Sequence, residues 1–251
     1  MRISLITATY NSEKTIAETI NSVRCQNVDN LEYIIIDGGS SDSTQEIINQ
    51  NKEVVTKLIS EPDKGIYDAL NKGMKIATGE IIGFLHSDDI FADNHVLKEV
   101  IDVFEKESVD LLYGDLQYIT SDTPLKILRH WQSGEFKHSN LKRGWMPPHP
   151  TLYFKRDLIE KTGYFNISYI IAADYDWIIR CLTLPDIKVA YIPKVLIKMR
   201  IGGKSNRNLK NIIRKSKEDY KIIRHNKIGG VCTLFLKNFR KVNQFFFPTK
   251  K

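Results

Sequence analysis

Cysteine is scarce in this chain: Cys25, Cys181 and Cys232 are far apart and odd in number among 251 residues. That excludes a disulfide framework and a cysteine metal cluster, and it suits a reducing cytoplasm. No apolar run approaches the roughly 20 residues that a membrane-spanning helix needs. The N-terminus opens on the strand-like RISLITATY rather than on a charged head and an apolar core, so no signal peptide is expected. A glycine-rich G-x-G-x-x-G turn is missing as well, since TATYNS after the first apolar run has no glycine, which disfavours a dinucleotide-dependent oxidoreductase. Acidic residues are rare at one end. From Lys194 onward there are 17 Lys or Arg against only Glu218 and Asp219, so the net charge of +7 belongs to the tail and the rest of the chain is acidic. No nucleic-acid-binding module accompanies those cations, and no nucleic-acid partner is expected.

What is present is a regular alternation. The 42% hydrophobic content is enough for a sizeable core. Residues 2 to 8 read as a buried strand, and Ile16, Ile20 and Val23 fall at helical spacing within 12 to 25. The pattern continues with strand 31 to 36, helix 42 to 50, strand 54 to 59, helix 66 to 77 and strand 80 to 85. Short connections between alternating elements imply parallel strands with right-handed crossovers, hence an α/β fold. Beyond Ser87 the rhythm changes to a helix near 93 to 106, a strand at 111 to 119, an aperiodic stretch from 121 to 150, a short strand at 151 to 156 and a helix beginning near Ala173. After Ser205 comes a basic, amphipathic segment, NLKNIIRKSKEDYKIIRHNK, then a stretch rich in Leu and Phe. Such a tail suits either the headgroup boundary of an anionic bilayer or a solvated helix covering the rest of the protein.

The stretch IIIDGGSSDST at 34 to 44 stops an apolar run at an acid, two glycines and small hydroxyl residues. A turn followed by a capped helix accounts for it. In an open α/β sheet the same position also places Asp37 at a strand's carboxyl end, where ligands bind. Gly65, Ala69 and Gly73 recur every four residues, which puts small residues on one helical face for close packing or ligand approach.

TATYN at 7 to 11, IIIDGGSSD at 34 to 42, EPDKGIYDALNKG at 61 to 73, FLHSDD at 84 to 89, HPTLYFKRDLIEKTGYFN at 149 to 166 and AADYDW at 172 to 177 occur in an order that resembles the family 2 glycosyltransferases. The resemblance covers about residues 1 to 205. It implies a GT-A fold, a Rossmann-like, mostly parallel sheet flanked by helices, with a nucleotide-binding half at 1 to 110, an acceptor-facing half at 111 to 205 and a basic helical extension at 206 to 251. It further implies an inverting transfer from a nucleotide-diphosphate sugar, UDP-linked by expectation, to a hydroxyl of a glycan or lipid-linked acceptor in surface polysaccharide assembly. By the resemblance, Thr7, Tyr10 and Asp37 line the nucleoside pocket, with Asp63 and Gly65 near the base or ribose. Gly38 stands where the family often has an aspartate. His86-Ser-Asp88-Asp89 takes the place of the Asp-x-Asp metal motif, with Asp88 the primary ligand to Mn²⁺ or Mg²⁺, Asp89 a support and His149 a second contact to metal or diphosphate. Hard oxygen ligands suit those ions. Asp174 matches the base position, and Asp176 reads as a structural partner. Lys198, Arg200 and the GGKS at 202 to 205 lie where the family often has a loop over the donor. His86 and Ala173 depart from the usual residues and leave a nucleotide-sugar-binding protein without catalysis as the alternative. The expected setting is cytoplasmic, with peripheral attachment to an anionic membrane.

Overall fold

The computed structural model describes residues 1–121, 125–201 and 209–246, with side chains described to 239 in the last segment. Its N-terminal half repeats strand and helix as the periodicity requires: β1 (Ile3–Thr9), α1 (Ile16–Arg24), β2 (Leu31–Asp37), α2 (Thr44–Asn49), β3 (Lys57–Ser60), α3 (Ile66–Ile76) and β4 (Ile81–Phe84). Then follow β5 (Asp89–Phe91), α4 (Val96–Lys106), β6 (Leu111–Ile119), β7 (Ile127–Trp131), α5 (His138–Leu141), a 3₁₀ turn (His149–Thr151), β8 (Tyr153–Lys155), α6 (Leu158–Thr162), α7 (Ala173–Leu182) and β9 (Val189–Arg200). Two tail helices, α8 (Leu209–His225) and α9 (Val231–Phe246), complete the described chain.

One sheet runs in the order β3-β2-β1-β4-β8-β6-β9-β5, with β7 paired to β6. The β3-β2-β1-β4 half is parallel, with Thr9 opposite Asp37 and Ile6 opposite Phe84. Beyond it the sheet is mixed, because β8 runs antiparallel to both β4 and β6 while β6 and β9 are parallel. Chain order reverses at β1, with β2 on one side and β4 on the other. That reversal opens a crevice at the carboxyl ends of these strands, the place where open α/β sheets bind ligands.

Alternate residues of each strand feed two cores. Ile6, Ile34, Ile36, Ile82 and Phe84 pack under α3 and α7, whereas Ile3, Leu5, Tyr33, Ile35 and Ile81 pack under α1 and α4. A Cβ on Gly73 would lie 2.4 Å from Ile6 Cγ2, so the small-residue face of α3 is a close-packing face against β1. Ile222, Ile223 and Ile228 of the tail are buried in the α3–α7 core, so α8 is docked on the domain rather than appended to it. Among the described residues no helix is long and apolar enough to cross a membrane.

Candidate functional site

Each strand end at the crevice contributes one group. At the end of β1, Tyr10 is half exposed and stands beside the crevice. Thr7 lies beneath it: its side chain is fully buried, and Oγ1 donates to the Leu85 carbonyl (2.6 Å) and meets the Tyr33 hydroxyl (3.1 Å). Thr7 therefore braces β1 against β2 and β4 from below. At the end of β2 the buried Asp37 carboxylate accepts from the Ser40 backbone and hydroxyl, from Ser60 Oγ (2.6 Å) and from Gln45 Nε2 (3.0 Å). These bonds hold the β2–α2 turn and join β3 to it.

Asp63 leans over the same turn. A Cβ on Gly38 would lie 2.4 Å from Asp63 Oδ2, so the glycine is what lets this carboxylate approach the end of β2. Its other oxygen accepts from the Gly65 N–H at 2.8 Å, and Gly65 begins α3 at φ 115°. Asn71, further along α3, makes two bonds to the Phe165 backbone, 2.9 and 3.0 Å, and is a tie between halves.

The end of β4 meets the start of α7. Tyr67 of α3 donates its hydroxyl to Asp174 Oδ1 (3.1 Å) and to the Ile171 carbonyl (2.8 Å), which fixes the carboxylate in the first turn of α7. The Tyr67 hydroxyl is pushed well above its ordinary range by burial and by the Asp174 charge, so it stays a donor. His86 and His149 stand beside this acid with ring centroids 5.6 Å apart. Burial lowers both: His149 falls to about 4 despite the Asp174 carboxylate, and His86 is lowered despite Asp88 and Asp174. Both rings are neutral at pH 7, and His86 Nδ1 and His149 Nε2 are buried without a hydrogen-bond partner.

A divalent ion of the kind the family resemblance implies needs oxygen or imidazole donors here. Among the described residues no cluster of three or more His, Cys, Asp or Glu could hold one alone. Asp88 is a carboxylate two residues beyond His86, and His149 Nε2 is buried without a partner, so each could contribute one donor.

Asp89 faces elsewhere. Its carboxyl is fully buried on the face of β5 that also carries Phe91, and burial followed by the Asp88 charge raises it well above the carboxylate range. Asp176 is committed to Arg180 one turn on, at 2.9 Å. Lys198 and Arg200 belong to β9, where Arg200 is buried, donates to the Asp88 carbonyl at 2.9 Å and pairs with Glu18, so these two are anchored in the sheet. Residues 202 to 205 lie outside the described residues.

Two residues were missed by sequence reasoning. Tyr67 sits inside a quoted motif, and only the fold brings its hydroxyl to Asp174. Glu218 of α8 accepts from three successive backbone N–H groups, Ile170 (3.1 Å), Ile171 (2.9 Å) and Ala172 (3.0 Å), immediately before α7. Its signal was compositional: Glu218 and Asp219 are the only acids in the basic tail. Asp219 answers to Lys215 (2.9 Å) and Lys237 (2.6 Å), joining α8 to α9.

Comparison with known proteins agrees with this architecture. Residues 4–165 match the model of "Glycosyl transferase family 2". A "PGL/p-HBAD biosynthesis glycosyltransferase" of Mycobacterium bovis is 31% identical over 208 residues, covering 81% of this chain and 78% of the relative. S. aureus TarS 1-349 in complex with UDP-GlcNAc superposes with a TM-score of 0.72 at 20% identity over 90% of this chain, which spans 65% of that TarS chain, just under two thirds. The mannosyltransferase PcManGT of Pyrobaculum calidifontis, in complex with GDP-Man and Mn²⁺, gives 0.66 at 19% identity over 95% of this chain and 69% of its own. At such identities the two structures speak for the fold alone, and the GT-A architecture is the one found here. With the matched segment covering well over half its length, the chain belongs to glycosyl transferase family 2.

Proposed function

We propose that the protein is a metal-dependent, inverting glycosyltransferase that moves a sugar from a nucleotide-diphosphate donor, UDP-linked, to a hydroxyl of a glycan or lipid-linked acceptor in surface polysaccharide assembly. The observation that carries this reading is the grouping of a Tyr67-held Asp174 with two neutral histidines whose buried nitrogens lack partners. Buried polar atoms are rarely left unpaired, so a ligand completing them is the economical account.

In this reading Tyr10 packs on the base, and Asp63 and the Gly65 turn face the ribose. Asp37 borders the base by holding the turn that shapes the pocket, so its hydrogen bond to the pyrimidine N–H requires exchange of one of its present donors. Thr7 supports this wall from beneath. A Mn²⁺ or Mg²⁺ ion would be held by Asp88 and His149 and would supply positive charge to the departing diphosphate. Asp174 takes the proton of the acceptor hydroxyl while its oxygen bonds to the anomeric carbon and the bond from that carbon to the diphosphate breaks. Tyr67 holds Oδ1, which orients Oδ2 toward the hydroxyl. Attack opposite the leaving group inverts the centre.

The setting proposed is the cytoplasmic face of the membrane. Phe235, Leu236 and Phe239 are exposed on the cationic tail, which supports peripheral attachment to an anionic surface. Incubation with a panel of UDP-, GDP- and dTDP-sugars, with and without Mn²⁺, tests the proposal. Mn²⁺-dependent release of UDP from one UDP-sugar is expected. Binding of nucleotide sugars with no turnover of any would favour the non-catalytic alternative.

A further inference from the structure

The helix that carries Asp174 begins without a cap of its own. Ala172 stands at the N-cap of α7 and has no side-chain oxygen to accept from the first turn. The segment entering the helix is held from outside instead. Glu218 Oε1 accepts from the Ile170 N–H, and Oε2 accepts from the N–H groups of Ile171 and Ala172. Glu218 is buried, and Ile222, one turn further along the same face of α8, is buried in the α3–α7 core. Docking of that face therefore sets where the carboxylate lies.

One peptide unit joins this clamp to the proposed base. The Ile171 carbonyl and the Ala172 N–H belong to the same planar unit, and in the trans form they point in opposite directions. Its N–H donates to Glu218 Oε2 at 3.0 Å, while its carbonyl accepts from the Tyr67 hydroxyl at 2.8 Å. The same hydroxyl reaches Asp174 Oδ1 at 3.1 Å. A tilt of this one unit displaces the hydroxyl that orients the acid.

We infer that Glu218 is a positioning residue for the transfer: its carboxylate fixes the Ile171–Ala172 peptide unit and, through Tyr67, the orientation of Asp174. The role rests on the transferase reading, whereas the clamp rests on the hydrogen bonds alone. Glu218 acts through backbone rather than on a reacting atom, and it comes from a tail helix well beyond the matched segment 4–165. A base held about 1 Å from its line loses up to about 10² in rate, so this contact bears on turnover. The competing account is a purely stabilising one, because bonds to a carboxylate strengthen any loop. The two accounts differ in coupling. A positioning role makes the effect of Glu218 depend on Tyr67, and a stabilising role does not.

Steady-state kinetics of the full chain with a UDP-sugar, expressed per UDP-binding site counted by calorimetry, tests the inference. Glu218→Gln turns an amide NH₂ toward backbone N–H groups, and kcat should fall about 10- to 100-fold with the donor KM within about twofold of wild type. Ile228→Ala opens a cavity in the same core beyond α8. It should lower the melting temperature at least as far and leave kcat per site near wild type. In a Tyr67→Phe background the further loss from Glu218→Gln should shrink to about twofold or less. Hydrogen exchange at the amides of 170 to 172 should quicken in Glu218→Gln and stay slow in Ile228→Ala.

Independent, multiplicative losses in the double variant, or an equal loss of kcat in Ile228→Ala, would make Glu218 a stabilising residue and overturn the inference. Unchanged exchange at 170 to 172 in Glu218→Gln would remove the clamp itself. Should exchange quicken as expected while the wild type turns over no nucleotide sugar, the clamp stands and the positioning role falls with the transferase reading. If Glu218→Gln does not fold, Glu218→Asp, whose carboxylate is a methylene short of the three N–H groups, takes its place with the same expected and opposing results.

Discussion

At the end of β2 the Asp37 carboxylate accepts from Ser40, Gln45 and Ser60, whereas at the end of β4 the buried His86 Nδ1 and His149 Nε2 have no partner. Both regions border one crevice and both are rich in polar side chains. The difference is that the Asp37 carboxylate has its donors within the protein and the two histidine nitrogens have none. A completed network gives shape and rigidity to a wall. Groups that bury polar atoms without partners carry a cost of order 1–3 kcal/mol each, and a bound ligand removes it. In the proposed reading the chemistry belongs to the β4–α7 junction and the architecture of the nucleoside pocket to the β2–β3 side.

The sharpest way to break that comparison is at Asp174. Asp174→Asn keeps the hydrogen bond to Tyr67 but cannot take a proton, so kcat should fall by roughly 10²–10⁴ while donor affinity by calorimetry stays near wild type. Equal loss of donor affinity would return Asp174 to the wall. A smaller effect is expected at the neighbouring acid: Asp88→Ala should abolish the Mn²⁺-dependent part of UDP binding and leave the metal-independent part. Retained metal dependence would move the ion elsewhere. On the completed side the expected losses are in stability. Asp37→Asn removes an acceptor oxygen from a network of four donor groups on three residues and should cost about 1.5–3 kcal/mol in urea unfolding, with UDP binding weakened in parallel as the turn loosens. Thr7→Val should cost only about 1 kcal/mol and leave UDP affinity unchanged, since its hydroxyl faces Leu85 and Tyr33. A larger effect of Thr7→Val on binding than of Asp37→Asn would invert the assignment.

Much of this frame was legible in sequence because the N-terminal half obeys simple periods. Ile3, Leu5 and Tyr33 alternate in strands and Ile16, Ile20 and Val23 recur in a helix, and the observed elements fall within a few residues of those expectations. The strand β9 was not legible, because Pro193 interrupts it and the register against β6 shifts there, a pairing that only the partner strand reveals. β7 and α5 were hidden for a related reason: each is short and draws its stability from β6 and the tail rather than from its own pattern. The acids quoted in motifs did not separate by chemistry. Asp37, Asp88, Asp89 and Asp174 look alike in sequence, and only burial and donors distinguish a bracing carboxylate from one held out to a ligand. The tail was legible as amphipathic, with a membrane surface and a helix covering the rest of the protein both open, since the residues that dock it, Ile222 and Ile223, gain meaning from the core they enter. Its two acids were the stronger clue. In a segment otherwise cationic, Glu218 and Asp219 are both buried, together with Lys237.

The central claim is that a single carboxylate, Asp174, serves one displacement at the anomeric carbon. It is tested most directly by proton NMR of the product formed from an α-linked UDP-sugar, read through the coupling of the anomeric proton before any chemical equilibration. The account predicts a β-linked product. An α-linked product would require a second displacement and a nucleophile that this centre has not been assigned, and would contradict it.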